Sequence, residues 1–248
     1  MQRLIRTIVL SATYSQNANF RPELQDPENR LLARGPSFRL PAETIRDQAL
    51  AVSGLLSREV GGPSVKPYQP EGIWEDLSAP PSHAETYVQG QGRDLYRKSF
   101  YTYWRRSVTH PLLSTFDAPS REVCTADRFQ SNSPQQALTL LNDPTFVEAA
   151  RGFALRVSRE NPASTDAVKI AAALRLALAR EPKPAELASL TKFLSLQRDY
   201  YRSKPDDAVA FLKTGLSDPG NGQDPAELAA WSQLCRVILN LHETITRY

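Results

Sequence analysis

Histidine, cysteine and methionine are scarce in this chain, at three, two and one among 248 residues. Each shortage closes off a chemistry. There is no Cys-x-x-Cys-His for c-type haem and no His-Glu-x-x-His, and Cys124 and Cys235 alone cannot build a cysteine-rich zinc site. Their separation leaves open one disulfide or two buried thiols. His83, His110 and His242 have no partner at metal-ligand spacing and read as surface or packing residues, so no metal is expected. Gly-x-Ser-x-Gly, a Walker loop and Gly-x-Gly-x-x-Gly are also missing, which removes the usual hydrolase, nucleotide and dinucleotide signatures. Glycine is outnumbered by proline, eleven to nineteen, so the loops are expected to be ordered and extended. No apolar run approaches the ~20 residues of a membrane span. The opening "MQRLIRTIVLSATYSQ" has too short an apolar core for a signal peptide, and no cleavage signal follows it. A net charge of +3 is too small to imply a nucleic-acid or membrane partner.

What the chain does have is a helical rhythm. Leu4, Ile8 and Ala12 predict a first helix of about three turns. Ile45, Ala49, Val52 and Leu56 form a second stripe, with Pro41 at a first helical position. Residues 61–81, with "GGPSVKPYQPEG" at their start, read as a long extended surface loop rather than an anion-binding nest, because no helix follows. Ser133-Pro134-Gln135-Gln136 is a helix start with a capping box, Asn142 is a stop, and Asp143-Pro144 opens the next helix. The stripe of that helix is Phe146, Ala150, Phe153 and Val157. Further stripes are Ala167, Ala171, Leu174 and Leu178, then Leu187, Leu190 and Leu194. Asp224-Pro225-Ala226-Glu227 is a second capping box, opening a helix lined by Leu228, Trp231, Cys235 and Ile238. No β-alternation of useful length appears. The expectation is one all-α, irregular multi-helix domain over 1–248, with long Pro/Gly-rich loops over 1–130 and a helical bundle over 131–248.

Two groups of residues could carry chemistry. In "RLPAETIRDQ", Glu43 and Asp47 share a helix flank with Arg39 and Arg46 beside them. Two carboxylates so placed can share a proton, or can simply be neutralised by the arginines. In "TFDAPSREVC", Asp117, Arg121 and Glu122 make either an ion-paired corner or part of a polar cleft, while Cys124 lacks the basic neighbour of a nucleophile. Together these form the candidate polar cluster Arg39, Glu43, Arg46, Asp47, Asp117, Arg121 and Glu122.

The second group lies in "RDLYRKSFYTYWRRSVTH", where residues 93–106 carry a local charge of +4. Cations interleaved with aromatics suit glycans or single-stranded nucleic acid. The candidate ligand surface is Arg97, Tyr101, Trp104 and Arg105. The plainer reading makes 93–108 a helix, with Tyr96, Phe100 and Tyr103 turned into the core and Arg97, Arg105 and Arg106 snorkelling or paired.

Six phrases carry a family likeness: "RLIRTIVLSATYSQ", "NRLLARGPSFRLPAETIRDQALAVSGLL", "GGPSVKPYQPEGIWE", "TFDAPSREVC", "NSPQQALTLLNDPTFVEAAR" and "LAAWSQLCRVILNLHETITR". They resemble the C-terminal domain-of-unknown-function family of large planctomycete-type exported proteins. That resemblance implies a fragment of a longer protein. It implies preceding partner domains, a c-type cytochrome domain and a second uncharacterised one, and an exported, periplasmic or cell-surface location. It implies no established reaction. Haem belongs to the cytochrome domain, so no cofactor is expected in this chain. Tyr14-Ser15-Gln16 stands where the family has Tyr-Arg-Gln, which removes one charge. The leading expectation is an accessory helical domain that binds a partner domain or a polysaccharide. The rival is a hydrolase or redox-partner enzyme built on the polar cluster. Nucleic acid is the least favoured ligand.

Overall fold

A computed structural model describes residues 1–24, 26–76, 86–105 and 107–247, which leaves His83 and Arg106 outside the described residues. The class is all-α, with one two-stranded ladder among the described residues. The chain divides into two compact units, Met1–Leu40 with His242–Tyr248, and Pro41–Leu241.

The terminal unit begins with α1 (Gln2–Val9), two turns rather than the three expected, and none of its residues is buried. A loop follows that is stapled by side chains. The Asp26 carboxylate accepts from the Arg30 and Leu31 amides, each at 2.8 Å, and Asn29 exchanges two hydrogen bonds with the Arg34 backbone. Strand β1 (Phe38–Arg39) pairs antiparallel with β2 (Thr246–Arg247), which follows the short α11 (His242–Ile245).

The larger unit contains α2 (Ala42–Ser53), α3 (Ile73–Asp76), α4 (Pro111–Thr115), α5 (Pro134–Asn142), α6 (Pro144–Glu160), α7 (Asp166–Leu178), α8 (Pro184–Ser203), α9 (Pro205–Leu212) and α10 (Pro225–Leu239). Helix α6 packs between α2 and α10, and α10 also meets α8 and α9. The predicted stripes of α6 and α10 are buried in full, and so are Ile45, Ala49 and Val52 of α2. Pro41 caps α2 rather than occupying its first turn, and Gly54 ends it in the left-handed conformation, which glycine adopts without a Cβ penalty. In α7 the buried face is Ile170, Ala173, Leu174 and Ala177, so the helix is rotated relative to the expected stripe. Alanines are too small and too frequent there to fix a phase; packing against α8 does.

Local chemistry sets the helix ends. Asp143 accepts from the Thr145 amide at 2.8 Å, and Asp224 from the Ala226 amide at 3.1 Å. Arginines close the other ends. Arg156 donates to the Val52 carbonyl of α2 at 2.9 Å, and Arg236 to the Leu141 carbonyl of α5. Glu227, predicted as half of a capping box, instead accepts from Arg198 and from the Trp231 indole at 2.9 Å. Arg198 also binds Asp166, so one guanidinium clamps α7, α8 and α10.

Residues 93–105 depart most from the helix expected over 93–108. They form two short 3-10 turns, Gly92–Tyr96 and Ser99–Tyr101, separated and followed by extended chain. Ser57 donates to the Tyr96 carbonyl at 2.9 Å, Val65 to the Tyr101 carbonyl at 2.8 Å, and Tyr103 to the Val65 carbonyl at 2.7 Å. The predicted aromatic stripe does not exist: Phe100 is 79% exposed and Tyr103 is exposed, while Leu95, Ser99 and Thr102 are buried. Tyr, Phe, Trp and Thr are weak helix formers that suit extended chain. A neighbouring segment offering backbone partners outweighs the apolar spacing.

Candidate functional site

The polar cluster resolves into local arrangements, of which one brings Arg46 and Asp47 together as an ion pair at 3.7 Å. Glu43 on α2 takes a two-pronged ion pair from Arg128, at 2.6 and 3.1 Å. Burial pushes its carboxyl up, but the Arg128 hydrogen bonds and charge outweigh that and hold it below the usual value. Asp47 accepts from the Ser99 amide and hydroxyl, both at 2.7 Å. Arg46 is 1% exposed and donates to the Leu95 carbonyl at 2.6 Å, the Arg97 carbonyl at 2.9 Å and the Ser99 hydroxyl at 3.2 Å. These carbonyls are among those a helix over 93–108 would use internally. Asp117, at φ 60°, accepts from the Ser131 amide at 2.7 Å and from its hydroxyl. Gln136 ties the same corner to the Thr115 carbonyl at 3.0 Å. Arg121 lies over the Trp104 ring at 4.3 Å, and Glu122 is exposed. Arg39 belongs to the terminal unit, on β1 opposite Thr246.

The expected ligand surface is likewise engaged in packing. Arg97 is buried and donates to the Gly61 and Pro63 carbonyls, so the Gly-Gly turn presents oxygens to a cation. Its guanidinium also stacks on Tyr101 at 3.9 Å, while the Tyr101 hydroxyl accepts from the Gly61 amide at 2.8 Å. The Trp104 indole donates to the Ser120 carbonyl at 2.9 Å, and Arg105 lies over Trp74 at 4.8 Å. Trp74, Tyr87 and Tyr103 surround the Lys66 ammonium at 5.1–5.9 Å.

Sequence reasoning set aside His110, which the structure places in a cleft of about 420 Å³. It precedes Pro111 at the start of α4 and is 6% exposed, with both ring nitrogens closed off from solvent. Its walls are Tyr68 and Pro70 on one side, and Gln135, Leu138, Asn142 and Asp143 of the α5–α6 corner on the other. Burial, reinforced by the Arg46 charge and partly offset by a hydrogen bond with the Tyr68 backbone, lowers the His110 pKa from 6.5 to about 4. Burial raises the Asp143 carboxyl, partly offset by the Thr145 amide and by Arg46. The imidazole is therefore neutral near pH 7. A His-Pro dipeptide shortly after an aromatic run was the available signal, and it is a weak one.

The depressed pKa has a sign. As pH falls, the unfolded chain protonates this histidine near 6.5 and the folded chain only near 4, so stability present above pH 6.5 is lost towards pH 4. Urea unfolding at pH 7 and pH 4.5 should show the parent losing about 2–3 kcal/mol more than His110→Gln. Equal losses would mean that the imidazole is already solvated in the folded state.

Behind the cleft lies a second feature that sequence did not flag. Tyr68 accepts from the Leu216 amide at 2.9 Å, and Tyr96 donates to Glu148 at 3.0 Å. Glu148, 1% exposed, faces Arg151 at 3.6 Å and accepts from the Ser217 amide. Burial raises the Tyr96 hydroxyl to about 12, assisted by the Glu148 charge. The node pins the loop after α9 to the centre of α6. Gly215 sits there at φ 84°, where a Cβ would lie 2.4 Å from the Glu148 carboxyl.

Among the described residues, no group of three or more His, Cys, Asp or Glu side chains could hold a metal. Cys124 is free and exposed; Cys235 is free and buried, and burial pushes its thiol up. No helix among the described residues is long and apolar enough to cross a membrane. The family model PSD1, described as a protein of unknown function (DUF1553), matches residues 1–194, which include every residue lining the His110 cleft. No curated protein and no solved structure matches the chain.

Proposed function

The chain belongs to the PSD1 family of proteins of unknown function (DUF1553), and from that premise we propose that it is a non-catalytic binding module of a larger protein. The observation that carries this reading is the engagement of the chain's reactive-looking groups. Glu43 is taken by Arg128, Asp47 by Ser99 and Arg46, Asp117 by Ser131, and Arg46 by carbonyls as well as by Asp47. Carboxylates held in this way brace loops onto helices. The six sequence phrases support a parent protein of planctomycete type, exported, with a c-type cytochrome domain and a second domain as partners. The ligand side of the reading is a glycan, bound without cofactor.

A second reading, a hydrolase or a redox-partner enzyme, draws on a single feature. His110 is unprotonated near neutrality and lines the same cleft as Asp143. Two measurements separate the readings: retention of the chain on immobilised polysaccharides, and turnover of chromogenic esters and glycosides. The module reading expects retention without turnover, with Asp47→Asn and Asp117→Asn lowering Tm only. Turnover that either variant abolishes while remaining folded would replace the module with an enzyme.

A further inference from the structure

Deepening the binding-module reading, on which it rests, we propose that a second cavity is a site for an acidic sugar. This cavity lies between the end of α6, the first turns of α7 and α10, and the loop after α9. It holds about 650 Å³, within the range of small-molecule sites. Two cations line it, and the carboxylates nearest them are engaged elsewhere. Arg159, in the last turn of α6, makes no ion pair or hydrogen bond among the described residues; its neighbour Glu160 pairs with Arg156 at 2.8 Å instead. Lys169 lies in the first turns of α7, the end where the helix dipole disfavours a cation. The charge of Asp166, one turn earlier, reaches Lys169, but both Asp166 oxygens are bound by Arg198. Glu227, on the same cavity wall as Trp231, is bound by that guanidinium too, at 2.8 and 2.6 Å.

The loop wall supplies what hydroxyls need. Asp218 spends one carboxylate oxygen on the Gly220 and Asn221 amides, at 3.0 and 3.4 Å, and keeps the other as an acceptor. The side-chain amides of Asn221 and Gln223 each offer both a donor and an acceptor. These groups are open to the cavity: Arg159, Asp218, Asn221 and Gln223 are exposed, and Lys169 is half-buried. Leu155 and Pro162 add apolar surface for C–H faces. Two cations without a local partner ask for negative charge on the ligand, and the loop asks for hydroxyls. A neutral sugar leaves the cations unanswered. A bare anion forgoes the hydroxyl contacts and meets Asp218 as a like charge.

The test uses the full chain labelled with ¹⁵N-tryptophan, titrated with digalacturonate, its neutral counterpart galactobiose, and inorganic sulfate. Buried Trp231 lines the cavity, its indole donating to Glu227 at 2.9 Å, so that resonance reports occupancy. Digalacturonate should shift it saturably, with the other two probes at least about tenfold weaker. Arg159→Gln and Lys169→Gln should each weaken digalacturonate at least about tenfold. Lys192→Gln, exposed on α8 and outside the cavity lining, should leave binding unchanged. None of these three side chains is buried, so the fold does not depend on them. No saturable shift, equal responses to the three probes, or equal losses in Lys169→Gln and Lys192→Gln would each overturn the site. Retention on polysaccharide that Lys169→Gln does not alter removes this site and leaves the module reading intact. Digalacturonate turnover lost in Lys169→Gln keeps the site and removes the non-catalytic reading.

Discussion

Arg151→Met is expected to lower the free energy of unfolding by about 3–5 kcal/mol, measured by urea denaturation at pH 7. Arg151 is 2% exposed at the middle of α6. Its guanidinium donates to the Leu212 carbonyl, to the Thr214 carbonyl at 2.6 Å, and to the Ser217 carbonyl and hydroxyl at 3.1 and 2.8 Å. Methionine nearly matches the stem in length but leaves three carbonyls unmet and Glu148 uncompensated in a dry site. A double variant, Glu148→Gln with Arg151→Met, removes the stranded charge and keeps an acceptor for the Ser217 amide. It should recover part of the loss, a coupling of about 1–3 kcal/mol. A simple sum of the two single effects would mean that charge pairing is not what holds this loop.

The second large effect is expected at Arg46. Arg46→Met removes the donors to Leu95, Arg97 and Ser99 and leaves two buried carbonyls unmet, at about 1–3 kcal/mol each. Total loss should be about 2–5 kcal/mol, and amide exchange should rise first over residues 95–105, the segment that this side chain holds. The same substitution withdraws the positive charge that helps keep His110 unprotonated, so the His110 pKa should climb from about 4 in ¹⁵N-histidine spectra. Burial remains, so it should stop short of the ordinary 6.5. An unmoved His110 would show that burial alone sets its protonation.

Both predictions concern arginines that behave as buried hydrogen-bond hubs. Arg46, Arg97, Arg151, Arg156 and Arg236 together take carbonyls from loops and helix ends that have no partner of their own. A rigid fork with five donors can satisfy several acceptors at once, which lysine cannot do in the same geometry. Within the larger unit, Arg46 holds the chain at 95–99 against α2, Arg97 holds the turn at 61–63, and Arg151 holds the loop after α9 against α6.

The legible part of the chain was the part whose rules are local. Ser133, Asp143 and Asp224 stand at helix starts, and Phe146, Ala150, Phe153 and Val157 are buried as their spacing requires. Gln136 illustrates a partial reading. It sits at the capping-box position, with the Ser133 amide 3.4 Å from its oxygen, but its amide group reaches Thr115 and Ser131 across a turn. Glu227 was drawn away from its own cap by Arg198, twenty-nine positions earlier. Helix α9 carries little apolar periodicity to read, since only Ala208 and Leu212 are buried.

Amino-acid order alone determined the all-α class, the placement of α5, α6, α8 and α10, and the N-caps Ser133, Asp143 and Asp224, because helical period and cap chemistry act within about four positions. Tertiary structure alone decided that Arg97 and Thr102, on either side of a 3-10 turn, bridge to Ser57 and Val65, that Arg128 rather than Arg39 takes Glu43, and that His110 lies buried. Those outcomes depend on groups tens of residues apart, whose meeting is set by how helices pack, and nothing in a local window encodes that distance.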